Sequence, residues 1–122
     1  MYIQRLAIPI TTAADGSATA FSAAVTGKVV AVIYAKTDFS DGVDFTVTAE
    51  ATGETIWAEN DVNASAVRYP RAATHGTDGS AALYAAAGTA VRDKVALAAD
   101  RVKVVVASGG NAKSGTVYVV VE

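Results

Sequence analysis

Several groups of residues in this 122-residue chain have types and spacings that bear on chemistry. Asp38, Asp41 and Asp44 place three carboxylates within the segment DFSDGVD, and a hard cation such as calcium wants several oxygen ligands. Gly42 would ease the turn they need. The spacing departs from an EF-hand loop, and Asp44 opens a strand-like run, so the segment reads as a solvated turn. No metal is expected there. His75 is the one histidine, and a general base needs a nucleophile and an orienting partner within reach. Ser65, Ser80 and Asp78 lie nearby in sequence but in no recognisable catalytic motif. His75 therefore reads as a surface-loop residue or a contact with another subunit. Gly109, Gly110, Asn111 and Gly115 suggest a phosphate cradle, but such a cradle needs a helix after it and a valine-rich strand follows. Trp57, with Tyr69 and Tyr84, could offer aromatic faces to a sugar, although core or interface packing is their ordinary role. Asn63-Ala64-Ser65 fits a glycosylation sequon. No catalytic residue and no cofactor are expected, and the chain does not read as an enzyme.

The elements that would position these residues are strands. Residues 101–107 and 116–121 are dominated by β-branched side chains, which suit extended backbone. Val102, Val104 and Val106 share one face against Arg101 and Lys103; Val117, Val119 and Val121 share another against Thr116, Tyr118 and Val120. The Gly-rich loop between them predicts that the two runs return as an antiparallel hairpin. Upstream, residues 2–12 read as a first strand whose Pro9 places it at a sheet edge or in an arm lying against a neighbour. Residues 19–25 predict a short strand. Residues 28–36, KVVAVIYAK, are apolar on both faces, as in a strand covered on both sides. Residues 43–50 alternate as a strand with one wet face, and residues 54–59 complete a hairpin with them. Residues 81–87 are too short for a stable isolated helix and read as extended or irregular. Residues 91–98 predict a further strand. The fold class is all-β: one antiparallel β-sandwich domain over residues 1–122, jelly-roll-like, with about eight strands.

Composition narrows the function classes. Ten basic and twelve acidic residues give a net charge of −2, without the clustered Lys and Arg on which nucleic-acid affinity rests. No direct nucleic-acid contact is expected. Cysteine is absent, which removes disulfides and thiolate metal sites. No apolar run is long enough to span a membrane. The N-terminal segment lacks the continuous apolar core of a signal peptide, which predicts synthesis in the cytoplasm. Apolar residues make up 52% of the chain but aromatic ones only 7%, so small side chains would fill a thin core.

Three stretches carry a resemblance. They are IPITTAADGSA from Ile8 to Ala18, ALYAAAGTAV from Ala82 to Val91, and GGNAKSGT from Gly109 to Thr116. In this order they resemble a family of small proteins encoded among the head genes of tailed bacteriophages, and the resemblance runs over nearly the whole chain. Such proteins are similar in size and class to capsid decoration or cement proteins. The resemblance implies a non-enzymatic virion protein on the capsid exterior, made in the host cytoplasm, with the major capsid protein as partner and a dimer or trimer as its own state. A neck, head-tail joining or tail protein is the alternative, and a host-glycan-binding module using Trp57 is a third. Two contact surfaces are expected. One is an N-terminal arm with Tyr2, Ile3, Leu6 and Ile8 exposed; the same residues could instead form the domain's first edge strand. The other is the loop 60–80, with Arg68, Tyr69, Arg71 and His75, since Arg and Tyr commonly anchor interfaces.

Overall fold

Valines that alternate with polar or small residues lay this chain out as strands, because period-two burial fits a pleated ribbon with one face covered. A computed structural model describes residues 2–122. The strands are β1 (Gln4–Thr11), β2 (Ala18–Phe21), β3 (Val25–Lys36), β4 (Asp44–Ala49), β5 (Thr55–Glu59), β6 (Ala66–Arg68), β7 (Ala72–Ala73), β8 (Arg92–Asp93), β9 (Ala96–Asp100), β10 (Val102–Ala107) and β11 (Ser114–Val121). All pairings are antiparallel. One sheet runs β1-β11-β3-β6, with β9 added at the start of β3; the second runs β2-β10-β4-β5. The pairs are nested in sequence: β1 with β11, β2 with β10, β3 with β6, and β4 with β5. The predicted all-β antiparallel sandwich is therefore the architecture observed.

The C-terminal pair departs from expectation. β10 and β11 do not form a hairpin; they lie in opposite sheets. Val102, Val104 and Val106 of β10 and Val117, Val119 and Val121 of β11 all have 0% exposure. Stacking two all-valine faces across a core buries both, whereas a hairpin would put them side by side on one sheet. Each buried valine contributes about 1.5–3 kcal/mol. The loop makes the crossing with positive φ at Ser108, Gly110 and Ala112, and glycine alone adopts that conformation freely. Gly109 and Gly115 serve close approach instead. A Cβ on Gly115 would lie 2.5 Å from the Phe39 ring, and one on Gly109 would lie 2.8 Å from the Thr12 methyl.

Other boundaries shift for local reasons. The strand expected over 19–25 ends at Phe21, and Val25 already belongs to β3. The run 91–98 divides into β8 and β9, because buried Val95 gives its carbonyl to Val29 N–H and not to a neighbouring ribbon. The eleven strands exceed the expected eight through β6, β7 and β8, which have three residues or fewer. The hairpin of β4 and β5 forms as expected.

β1 is an edge strand of the domain. Thr12 N–H donates to Lys113 O at 2.8 Å, so by alternation Gln4, Leu6, Ile8 and Ile10 turn their backbone groups towards β11. Pro9 then faces the free edge, where its missing N–H breaks no ladder bond. The core is closed at one end by aromatics. Phe45 stacks on Trp57 at 5.2 Å and meets Tyr34 at 4.6 Å between ring centroids. Three buried polar residues tie ends together. Thr12 Oγ1 accepts from Lys113 N–H and donates to Gly110 O; Ser22 Oγ accepts from Val102 N–H; Asp100 Oδ1 accepts from Ala51 and Arg101 N–H.

Candidate interaction surfaces

The residues with possible chemistry are dispersed. Asp38 accepts from Ser114 N–H, Asp41 pairs with Lys36 at 2.9 Å, and Asp44 accepts from Asp61 N–H. Among the described residues no three acidic or histidine side chains gather as a metal site. His75 is exposed and bridges Ala81 through backbone. Asp78, which would have to orient it, is held by Ser80 N–H and Oγ at 3.1 and 2.6 Å, and those bonds lower its pKa. Ser65 Oγ accepts from Lys36 N–H. The glycine loop 108–113 leads into β11, so it lacks the helix a phosphate cradle requires. The sequon residue Asn63 uses its side chain to accept from Gly42 N–H at 2.6 Å.

Two aromatic and arm expectations need correction. Trp57 is 7% exposed, stacked on Phe45, and its Nε1–H donates to Glu59. It has no free face for a sugar, so it cannot anchor a glycan platform with Tyr69 and Tyr84. Ile8, at 1% exposure, belongs to the core, and Leu6 packs partly against it. Both sit on the inward parity of an ordinary edge strand. Of the four, Tyr2 and Ile3 are the exposed ones, ahead of that strand.

The loop 60–80 distributes its candidates differently. Arg68 in β6 forms a two-pronged ion pair with Glu59 in β5, at 2.8 and 3.0 Å, and so clasps the two sheets along one side. Arg68 and, after it, the Trp57 indole hold the Glu59 carboxyl below its usual range. Arg71 Nη1 donates to the carbonyls of Val30 and Pro70. Tyr69 is 67% exposed, next to exposed Val67.

Residues 72–93 form a projection that no local sequence pattern announces. Thr74, Ala82 and Val91 close a ring of backbone bonds: Thr74 N–H to Val91 O, Val91 N–H to Ala82 O, and Ala82 N–H to Thr74 O. Two turns, at 76–80 and 85–88, extend beyond it, closed by Gly76 N–H to Ser80 O and Gly88 N–H to Ala85 O. Nearly all of residues 75–89 are exposed, including Leu83 and Tyr84, the latter at 76%. The projection is ordered by its backbone, and it adds almost nothing to the core.

The outer faces of the two sheets differ in character. The β2-β10-β4-β5 sheet turns outward Thr19, Thr46, Thr48 and Lys103 together with Phe21, Val105 and Ala58, with an Arg101–Glu50 ion pair at its margin. The β1-β11-β3-β6 sheet shows Ala7, Pro9, Tyr118, Val120, Ile33 and Val67. Compared with models of known protein families, with curated proteins and with solved structures, the chain matches none.

Proposed function

We propose that this chain is a non-enzymatic structural protein of a tailed-bacteriophage virion, a jelly roll that decorates and cements the capsid exterior by binding the major capsid protein as a homo-oligomer. The observation that carries this reading is the nested pairing β1–β11, β2–β10, β3–β6 and β4–β5 across two sheets. A long hairpin wrapped around itself produces that course, and jelly rolls recur in viral capsids. Fold alone does not fix function. The three stretches that resemble small phage head proteins supply the second support; 82–91 lies in the projection, and 109–116 runs from the crossing loop into the start of β11.

The projection is the surface this reading assigns to the shell. An extension closed by its own backbone bonds and bearing exposed Leu83 and Tyr84 offers a partner an aromatic anchor. The purified chain should bind phage shells that lack it, and Leu83→Ser with Tyr84→Ser should abolish binding while the melting temperature holds. Absence of binding by the unaltered chain would remove the reading. A ring at the neck or tail differs in copy number, with about a dozen copies or fewer per particle.

A further inference from the structure

We propose that the outer face of the β1-β11-β3-β6 sheet binds a second copy of this chain about a two-fold axis running parallel to the strands. The sequence run KVVAVIYAK is apolar on both sides; the fold turns Val29, Val32 and Tyr34 into the core, and Ala31, on the other parity, is also buried, at 5% exposure. Ala31, Ile33 and Ala35 turn outward, beside Val120, Tyr118 and Thr116 of β11. The opposite outer face interrupts its apolar residues Phe21, Val105 and Ala58 with Thr19, Thr46, Thr48 and Lys103.

The register arranges the face in rows. One row reads Val67, Ile33, Tyr118, Ala7 from β6 to β1. The next reads Tyr69, Ala31, Val120, Arg5, with Tyr69 placed by continuing the β3–β6 register one step. Within these two rows Arg5 is the single charge, at a corner, with its guanidinium 4.8 Å from the Tyr118 ring. The charge is thus rooted at the rim, where interfaces carry their polar residues.

A two-fold axis between β3 and β11, parallel to them, lays each row over its own reverse. Val120 then faces Ala31 of the second copy, Val67 faces Ala7, and Tyr118 faces Ile33. In the first two pairs a larger residue meets an alanine, the arrangement by which facing layers interdigitate. Arg5 falls over the exposed Tyr69 of the other copy, where a guanidinium is attracted to a ring face. Every contact occurs twice, as a two-fold interface requires. Three outward positions on each of β1, β11 and β3, with Val67 on β6, give a footprint of about 300 Å². That is under half of the ~800 Å² per partner of a standard interface, and exposed Tyr2 and Ile3 extend it at the start of β1.

Sedimentation of the purified chain in solution, with no shells present, tests this separately from the capsid reading. The expected result is a reversible dimer of twice the 12.4-kDa chain mass. Ile33→Glu, at the centre of the face, should raise Kd by about thirtyfold or more. Arg5→Glu should raise it about tenfold, and adding Tyr69→Lys should restore it. Residues 5 and 69 stand on opposite edges of one sheet, so that rescue can arise only between copies. A monomer at every soluble concentration, association that Ile33→Glu leaves intact, or failure of the rescue would each overturn the proposal.

Discussion

The Tyr34 hydroxyl is buried without a protein hydrogen-bond partner, and leaving such a group unpaired costs about 1–3 kcal/mol. Tyr34→Phe should therefore raise stability by about 1 kcal/mol, read from denaturant unfolding; a less stable variant would contradict the packing described. Burial, and after it the Asp41 charge, raises the Tyr34 pKa above its ordinary value of 10.0. The stability tied to its neutral form is then complete below that pH and is lost as pH climbs through the raised folded value. The phenylalanine variant should lack this part of the alkaline loss. Asp100 works in the opposite sense, since its Oδ1 satisfies two backbone N–H groups. Asp100→Ala should cost about 1–3 kcal/mol, whereas Asp100→Asn keeps the accepting oxygen and should cost much less. Glu59 links residue chemistry to a signal. Its carboxyl is held low by Arg68 first and by Trp57 second, so its contribution is present above the usual carboxylate range and disappears as pH falls through the lowered folded value. Trp57 is the one tryptophan. Its emission should titrate with a midpoint below that of an ordinary glutamate, and Glu59→Gln should remove the step.

At the scale of elements, the crossing loop between β10 and β11 determines how the sheets meet. Gly115→Ala would push a methyl into the Phe39 ring and should cost about 1–3 kcal/mol. Pairing it with Phe39→Leu should recover part of that loss, an interaction a double-mutant cycle would measure. Here the limits of sequence reading are clearest. The alternation of Val102, Val104 and Val106 revealed a strand and its buried face, as did that of Val117, Val119 and Val121. Alternation is silent about which sheet receives a strand, so a hairpin and a crossing between sheets look alike. Pro9 marked an edge correctly because a missing donor is a local fact. Residues 66–68 and 72–73 escaped notice because strands of three residues or fewer are held by partners distant in sequence.

At the scale of the whole molecule, the sequence placed anchors in residues 60–80, and the structure divides them. Arg68 and Arg71 are occupied by Glu59 and by backbone carbonyls, while Tyr69 stays open. Tyr84 looked like one tyrosine in an alanine run, and nothing local revealed that it would cap a projection. The apolar outer face was legible only as half a clue, in a strand that seemed to need cover on both sides. The fold covers one side, and the second copy and the shell are the partners proposed for what remains exposed. The proposal that this chain is a lattice component of a virion stands or falls on copy number: the number of copies in purified particles, relative to the major shell protein. A ratio near one to one, or a simple fraction of it, is the predicted result. A handful of copies, or none, would contradict capsid cementing.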